Sequence, residues 1–521
     1  MDKRLLAACA AAPMAVAPAL AAEPERPNIL LFMVDDMGWQ DTSVPFGPQR
    51  TAYNDTFETP GMERLARTGT LFTQAYASSI SSPSRCSLLT GANAARHRVT
   101  NWTFRRDTTT DAQSATLTLP EWNCNGIRQG EGTPRTFTAT SFVELLHRAG
   151  YRTIHCGKAH FGALGTPGED PHHFGFEVNI AGHAAGGLAS YLGERNYGNG
   201  TDGGKPAPFA VPGLEKYWGS TTFVTEALTR EAIAALDEAR SYGQPWFLYM
   251  AHYAVHIPID RDARFFDKYK RRGLSDREAA YAALIEGMDK SLCDLLDWLD
   301  RTGEADRTIV IFMSDNGGLA AAPAWRDGAP HTQNAPLRSG KGSAYEGGIR
   351  EPMIVRWPGV TPGGGRCDSY LLIEDFYPTI LEMAGIGRYR TAAPVDGVSF
   401  VPLLRGTGDP SRGRALCWNC PNLWDASGPG IGATCTIRDG RWKLIHWYET
   451  GRQELYDIDA DLGEEHDLAA DEPQRVRRLA RKLGRYLRRV GAQRPSFRAT
   501  GLPCPWPDEA PQATAANRNQ L

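Results

Sequence analysis

The sequence predicts an α/β fold: a doubly wound, mixed and largely parallel sheet sandwiched by helices, followed by a smaller C-terminal α+β subdomain. Three observations carry that prediction. Short apolar runs recur along most of the chain and end abruptly in polar residues, as buried strands do when they deliver functional groups at the carboxyl edge of an open sheet. Helix-start signals fall between those runs. After a Gly/Pro/Arg stretch the pattern changes to paired strand signals and one long amphipathic segment. With 521 residues, 41% hydrophobic and 10% aromatic, the chain suits one large domain with a smaller appendage, and disorder is excluded.

Taken in order, residues 1–21 read as an export signal. Lys3 and Arg4 precede an Ala/Leu-rich stretch that closes on Ala19-Leu20-Ala21, a small-x-small cleavage site. The stretch is short and broken by Pro13 and Pro18, so it does not read as a membrane span. Leu6-Ala7-Ala8-Cys9 resembles a lipoprotein box with too short a lead-in. The expectation is soluble export to the periplasm or the extracellular space, and no later apolar run is long enough to span a bilayer.

The strand candidates are Ile29–Val34, which ends in Asp35-Asp36, then Thr153-Ile154, which leads into His155-Cys156-Gly157-Lys158. Trp246–Ala251 ends in His252, and Ile309–Met313 ends in Ser314-Asp315-Asn316-Gly317. Among helix signals, Thr59-Pro60 gives an N-cap and a first-turn proline before Met62–Arg67, with Gly69 as the stop. Ser141-x-x-Glu144 and Ser275-x-x-Glu278 have the spacing of capping boxes. The Gly/Pro-rich stretch Leu188–Pro212 reads as a long loop at the rim of a site.

Arg405–Arg414 reads as a boundary, giving a larger domain at 27–405 and a smaller one at 412–495. In the latter, Thr434–Ile437 and Trp442–Ile445 flank a turn at Arg438-Asp439-Gly440-Arg441. Val476, Leu479, Leu483, Leu487 and Val490 then recur at helical spacing, with a solvated basic face opposite. Residues 496–521 read as a loose tail.

A net charge of −3 gives no global pull toward nucleic acid or an anionic membrane. An anionic substrate therefore requires a local basic cluster. Loss of Cys9 with the signal leaves an odd number of cysteines, so at least one thiol stays unpaired within the chain. Cys417-x-x-Cys420 has no second CxxC, and a local disulfide or buried thiols is preferred over zinc.

The most informative segment is Ser81-Ser82-Pro83-Ser84-Arg85-Cys86-Ser87-Leu88-Leu89-Thr90-Gly91. Ser82 can cap a helix whose first turn holds Pro83. Ser81 then sits just outside a helix N-terminus, where an anion is favoured. On shape alone, Ser-Pro before a helix is more often only a cap. The same caution applies to the paired aspartates, which are often turn residues, to lone His160, His252 or His256, and to Lys341 in its glycine-rich loop.

The segment resembles the signature of the formylglycine-dependent sulfatases of the alkaline-phosphatase-like superfamily, (Cys or Ser)-x-Pro-x-Arg followed by Leu-Thr-Gly. Further segments resemble that family in the expected order. They are Asn28–Gly38 with Asp35-Asp36, Gly157-Lys158-Ala159-His160, His256-Ile257-Pro258, Ser314-Asp315-Asn316-Gly317-Gly318, and Gly340-Lys341-Gly342 with Tyr345-Glu346-Gly347-Gly348. Glu454-Leu455-Tyr456-Asp457 extends the likeness past the boundary. Ala159 departs from the aromatic residue often found there, which would reshape the nearby pocket.

The resemblance implies that Ser81 is converted to Cα-formylglycine by a radical-SAM maturase. It also implies that Asp35, Asp36, Asp315 and Asn316, with residue 81, hold a cation. These donors are all oxygen, which suits a hard Ca²⁺ or Mg²⁺ and disfavours zinc; the family likeness favours Ca²⁺. Arg85, Lys158 and Lys341 would hold the sulfate, with His160 beside them, and His256 or Lys341 would protonate the leaving alcohol. The serine-type signature and export signal resemble secreted bacterial glycan sulfatases. A sulfated sugar is therefore expected, with galactose or N-acetylgalactosamine sulfate as the guess.

Ala95-Arg96-His97, Thr100-Asn101-Trp102, Arg105 and Arg106 are candidates for the sugar pocket, and His172, His173 and His183 are weaker ones. Two other readings compete. One is a phosphoesterase using unmodified Ser81, whose class is usually richer in His/Asp ligands for two metals. The other is a catalytically silent glycan-binding protein, which loss of a ligand or nucleophile would favour.

Overall fold

The computed structural model describes residues 26–201, 204–320, 334–424 and 427–510. The export signal expected at 1–21 and the last residues of the tail lie outside them. Among the described residues no helix is long and apolar enough to cross a membrane.

Strand Asn28–Val34 is buried along its whole length, and its alternating side chains enter two different cores. Leu30, Phe32 and Val34 join one cluster, whereas Ile29, Leu31 and Met33 join the other. That is the signature of a sheet covered on both faces. Helices Val224–Ser241 and Asp276–Thr302 pack on the first face, and Phe142–Arg148 and Phe376–Met383 on the second.

The sheet has nine strands. Its order is Gly365–Cys367, Thr70–Tyr76, Arg350–Arg356, Thr308–Ser314, Asn28–Val34, Trp246–Ala251, Arg152–Gly157 and Val178–Ile180, and Leu371–Leu372 adds to Thr70–Tyr76. All neighbours are parallel except at Arg350–Arg356, which runs against both of its partners. The fold is thus the mixed, largely parallel sheet that the sequence predicts.

Register is what places the site. Val34 pairs with Ser314, Met33 with Ala251, and Gly157 with Ala251. The four strands therefore finish level, and Asp35-Asp36, Asp315-Asn316 and Lys158 emerge at one edge.

Several local expectations need correction. Helix Asp276–Thr302 does start with a closed capping box, Ser275 Oγ accepting from Glu278 N and Ser275 N donating to Glu278 Oε2. Ser141 caps Phe142–Arg148 by accepting from Val143 N, but its box stays open because Glu144 is paired with Arg148. The helix after Ile80 spans Ser81–Thr90, so Ser81 opens it instead of preceding it, and Ser82 is no cap.

The C-terminal sheet is antiparallel, in the order Ala415–Cys420, Thr434–Asp439, Trp442–Trp447 and Gln453–Asp457. Helix Pro473–Arg489 covers it through Val476, Leu479, Leu483 and Leu487, which pack on Ile437, Leu444 and Leu455. Each such fully buried aliphatic side chain contributes about 1.5–3 kcal/mol. Cys417 and Cys420 lie three apart on one strand, so they face opposite sides of the sheet and cannot pair locally. All nine cysteines among the described residues are free. The segment expected to be loose is packed as far as Ala510. Phe497 pairs with Leu117, and Cys504 and Trp506 enter the core of this lobe.

The two lobes meet on a buried ionic cluster. Glu346 accepts from Tyr76 Oη at 2.6 Å and pairs with Lys443 Nζ at 3.0 Å and Arg350 Nη1 at 3.3 Å. Lys443 also reaches Glu464 at 2.8 Å, and Glu464 Oε2 accepts from Glu346 N at 2.6 Å.

Candidate functional site

Ser81 and Ser82 differ in what they face. Ser82 Oγ is 3.2 Å from Thr103 Oγ1 and accepts from Thr103 N at 3.0 Å. Ser81 Oγ instead lies 3.2 Å from Asp35 Oδ1, 2.9 Å from Asn316 Oδ1 and 2.9 Å from Lys158 Nζ. One turn along the helix, Arg85 Nε donates to Asp315 Oδ2 at 2.8 Å, and Nη1 donates to the Lys158 carbonyl at 3.0 Å and Tyr249 Oη at 3.3 Å.

Around Ser81 the charged groups interlock. Lys158 Nζ is 2.7 Å from Asp35 Oδ2, and Lys341 Nζ is 2.6 and 2.9 Å from the two Asp36 oxygens. Asn316 Nδ2 donates to Asp36 Oδ1 at 2.8 Å, and His256 Nε2 lies 3.7 Å from Asp36 Oδ2. The other His256 nitrogen, Nδ1, donates to the Ile257 carbonyl at 2.7 Å, so the face turned to Asp36 is a bare acceptor. His160 Nε2 donates to the Thr103 carbonyl at 2.9 Å. Among the described residues, His160 Nδ1 and Arg85 Nη2 are buried without a partner.

The electrostatics follow from burial. Asp35 is raised to about 7, because burial and the neighbouring Asp315 and Asp36 outweigh Lys158. For Asp36 burial pulls the same way, yet Lys341 and His256 overcome it and hold the carboxyl well below the usual range. Lys158 is lowered to about 8, because burial, helped by Arg85, outweighs the attraction of Asp35. Burial likewise works against the charge of Lys341, but Asp36 and Asp35 more than offset it and raise its pKa. His256 is lowered to about 3 by burial and then Lys341, with Asp36 opposing; burial and Lys158 also keep His160 neutral.

One oxygen each from Asp35, Asp36 and Asp315 lies within 4.8 Å of the others. With Asn316 Oδ1 turned to the same hydroxyl as Asp35, the donor set is all oxygen and anionic, which fits a hard divalent cation. The crowding that raises Asp35 is what such a cation would relieve.

The structure thus brings Ser81, Lys158, Lys341, His160, His256 and the proposed ligands together. It does not gather the sugar-pocket candidates. Arg96 is spent on Asp396 in two 2.7 Å contacts, and His97 is buried on Ser87 Oγ. Arg105 and Arg106 are exposed, as are His172 and His173. His252 is a structural histidine on Ser291 Oγ at 2.8 Å. Ala159 is buried in the core cluster that holds Phe161 and does not line the cavity beside Ser81.

Of those candidates only Trp102 lines the cavity of about 540 Å³ that opens beside Ser81, His256 and Lys341. Phe209, from the loop expected at the rim, and Trp424 complete its walls. Sequence reasoning missed Trp424, which no motif marks. It also missed Glu351, whose fully buried carboxyl has no partner among the described residues and is raised well above the usual range by burial and by Asp315.

Comparison with known proteins bears on this arrangement. Residues 27–386 match the family profile "Sulfatase", and residues 340–493 match "N-sulphoglucosamine sulphohydrolase, C-terminal". A "Sulfatase" from Formosa agariphila is 29% identical over 513 residues, covering 89% of this chain and 88% of its own. The N-acetylgalactosamine-6-sulfatase of Mus musculus is 31% identical over 403 residues, covering 74% and 68%. The crystal structure of Ps i-CgsB in complex with k-i-k-neocarrahexaose superposes with a TM-score of 0.71 at 24% identity, covering 89% of this chain and 93% of that one.

Proposed function

Because this chain belongs to the sulfatase family and is a sulfuric ester hydrolase, we propose that its substrate is a sulfated sugar, and that it acts through formylglycine made from Ser81 with Ca²⁺ at the aspartate cluster. One observation carries the reading: Ser81 Oγ stands where Asp35, Asn316 and Lys158 converge. Galactose or N-acetylgalactosamine sulfate is the proposed sugar, supported by the N-acetylgalactosamine-6-sulfatase relative. Export, and maturation by a radical-SAM enzyme able to oxidise serine, complete the proposal.

Asp35, Asp36, Asp315 and Asn316 would hold the cation, which when bound polarises a sulfate oxygen. Formylglycine at residue 81 would supply a hydrated aldehyde: one hydroxyl would attack sulfur as the sugar oxygen leaves, and its return to the aldehyde would then release sulfate without a second displacement there. The chain's own groups do the rest. Three carboxylates at present balance Arg85, Lys158 and Lys341. With a cation on the carboxylates, Lys158 and Lys341 would be free to turn to the transferring group and offset its charge where it develops.

Lys341 lines the cavity and is placed to give its proton to the departing sugar oxygen. His256, with Nδ1 held on the Ile257 carbonyl and Nε2 bare, is placed to accept one. Arg85 holds Asp315 from below and does not line the cavity.

The test is sulfate release by the matured, Ca²⁺-loaded enzyme from defined sulfated monosaccharides, read by ion chromatography. Release from a galactose or N-acetylgalactosamine sulfate is expected. Fast phosphate-ester hydrolysis by unmodified protein, without sulfate release, would overturn the reading in favour of a phosphoesterase.

A further inference from the structure

The cavity beside Ser81 has one polar end, at Ser81, His256 and Lys341, and walls that include the rings of Trp102, Phe209 and Trp424. The two tryptophans come from distant parts of the chain, and one carboxylate ties their segments together. Asp111 accepts from Asn101 Nδ2 at 2.8 Å, Asn422 Nδ2 at 3.0 Å and Trp122 Nε1 at 3.0 Å. Asn101 directly precedes Trp102, and its amide also donates to the carbonyl of Leu423, just before Trp424, at 3.1 Å. Ala112 N donates to that same carbonyl at 3.0 Å, and Thr100 Oγ1 to Asn422 Oδ1 at 2.6 Å. A satisfied network of this kind fixes its members in one arrangement.

Each ring is also seated from behind. Trp102 packs on Phe104 at 6.4 Å between centroids, and Phe104 stacks on Phe209 at 4.6 Å and 7°. Trp424 lies against Gly342, where a Cβ would meet the ring at 2.1 Å and φ is +83°; only glycine suits that contact. Lys341 Nζ is 5.9 Å from the centroid of Trp424, so the aromatic wall begins at the sulfate end of the cavity.

We infer that Trp102 and Trp424 are the specificity-determining walls of the subsite for the sulfate-bearing ring, and that this ring is an uncharged pyranose. The inference rests on the sugar-sulfate reading above. Indole faces bury the C–H face of a sugar while its hydroxyls stay solvated. Among the described residues lining the cavity, Lys341 is the only lysine or arginine, and it is committed to the reaction end. Among the described residues these walls offer a carboxylate or second sulfate on the ring no counter-ion besides Lys341, and such a group would lose its hydration against them.

The experiment uses matured, Ca²⁺-loaded enzyme and three variants: Trp102→Ala, Trp424→Ala and Trp424→Phe. Substrates are galactose 6-sulfate, N-acetylgalactosamine 6-sulfate and glucuronate 2-sulfate, and inhibition by inorganic sulfate is measured in parallel. Each alanine variant is expected to raise KM for the neutral sugars by about tenfold or more, with the sulfate inhibition constant within about twofold of the parent. Trp424→Phe is expected to recover most of the loss, and the parent to prefer the neutral sugars over the uronate by about tenfold or more. Unchanged KM in both alanine variants, sulfate inhibition lost in step with KM, or equal turnover of the uronate would overturn the subsite alone. Sulfate release from no sugar at all would overturn the sugar reading and this subsite with it.

Discussion

Lys158 donates to Ser81 Oγ across 2.9 Å while its neighbour in sequence space, Ser82, is turned away to Thr103. Chemistry at residue 81 alone is therefore expected. Peptide mass spectrometry of active enzyme should find the loss of two hydrogens at Ser81 and an intact Ser82. Ser81→Ala should lose activity by roughly a thousandfold or more. Ser82→Ala should remain active while losing about 1 kcal/mol of stability with its hydrogen bond to Thr103.

Metal binding should fail with Asp315. Its carboxylate is one of three that converge, and it also anchors Arg85. The parent should gain about 2.7 kcal/mol of stability at Ca²⁺ one hundredfold above its Kd, whereas Asp315→Ala should gain none. Thermal unfolding with elemental analysis of dialysed protein checks this. Full activity in exhaustively chelated parent would contradict the cation's role.

Leaving-group dependence separates the two candidate proton carriers. Lys341→Ala should lower kcat on a sugar sulfate by roughly 10²–10⁴ and harm nitrophenyl sulfate far less, because that alcohol departs without a proton. His256→Ala should slow both substrates to a similar extent, as loss of an acceptor needed in either case. A reversed pattern would exchange the two roles.

A pH effect on stability is expected from Glu374, which lies away from the cation site. Burial and the adjacent Asp375 raise its carboxyl to about 8, although Asn93 Nδ2 donates to it at 2.8 Å. An unfolded glutamate titrates near roughly 4.3. Between those values the folded chain holds a proton that the unfolded chain has released. This group's contribution is complete below the lower value and is lost as pH rises through the window, by about 1.4 kcal/mol per pH unit. Glu374→Gln keeps the acceptor for Asn93 and cannot ionise. It should exceed the parent in denaturant midpoint at about pH 8 and converge with it near about pH 4.5.

Much of the site is legible because strand ends are. Asp35 and Asp315 each follow a run apolar enough to be a buried strand, and local pattern is enough to read that; Lys158 follows Arg152–Gly157, where only Thr153-Ile154 hints at one. The antiparallel strand is hidden by its own composition. Arg350–Arg356 begins with two charged residues and carries Pro352, at which the pairing with Thr70–Tyr76 shifts register; a proline has no amide for the ladder. Its burial comes from the neighbouring strands and is not written in its pattern. Trp424 is illegible for another reason. Its place at the cavity depends on Asp111 reaching both Asn101 and Asn422, a long-range fact with no local signal. The packed segment to Ala510 escaped notice because composition describes an isolated chain, while Trp506 gains its burial from the lobe beneath it.

Glu346 bears on how variants of this protein can be built. Its carboxylate is fully buried, and one of its counter-ions, Lys443, comes from the C-terminal sheet, while the Glu464 that receives its backbone amide comes from the segment that follows that sheet. A chimera joined at residues 405–414 that brought in a foreign second lobe lacking a matching lysine would leave that buried charge with Arg350 as its remaining close counter-ion, and destabilise the interior. The strand it unsettles, Arg350–Arg356, lies beside the one that carries Asp315. Exchanging substrate range by swapping the smaller lobe therefore requires Glu346, Lys443 and Glu464 to travel as a set.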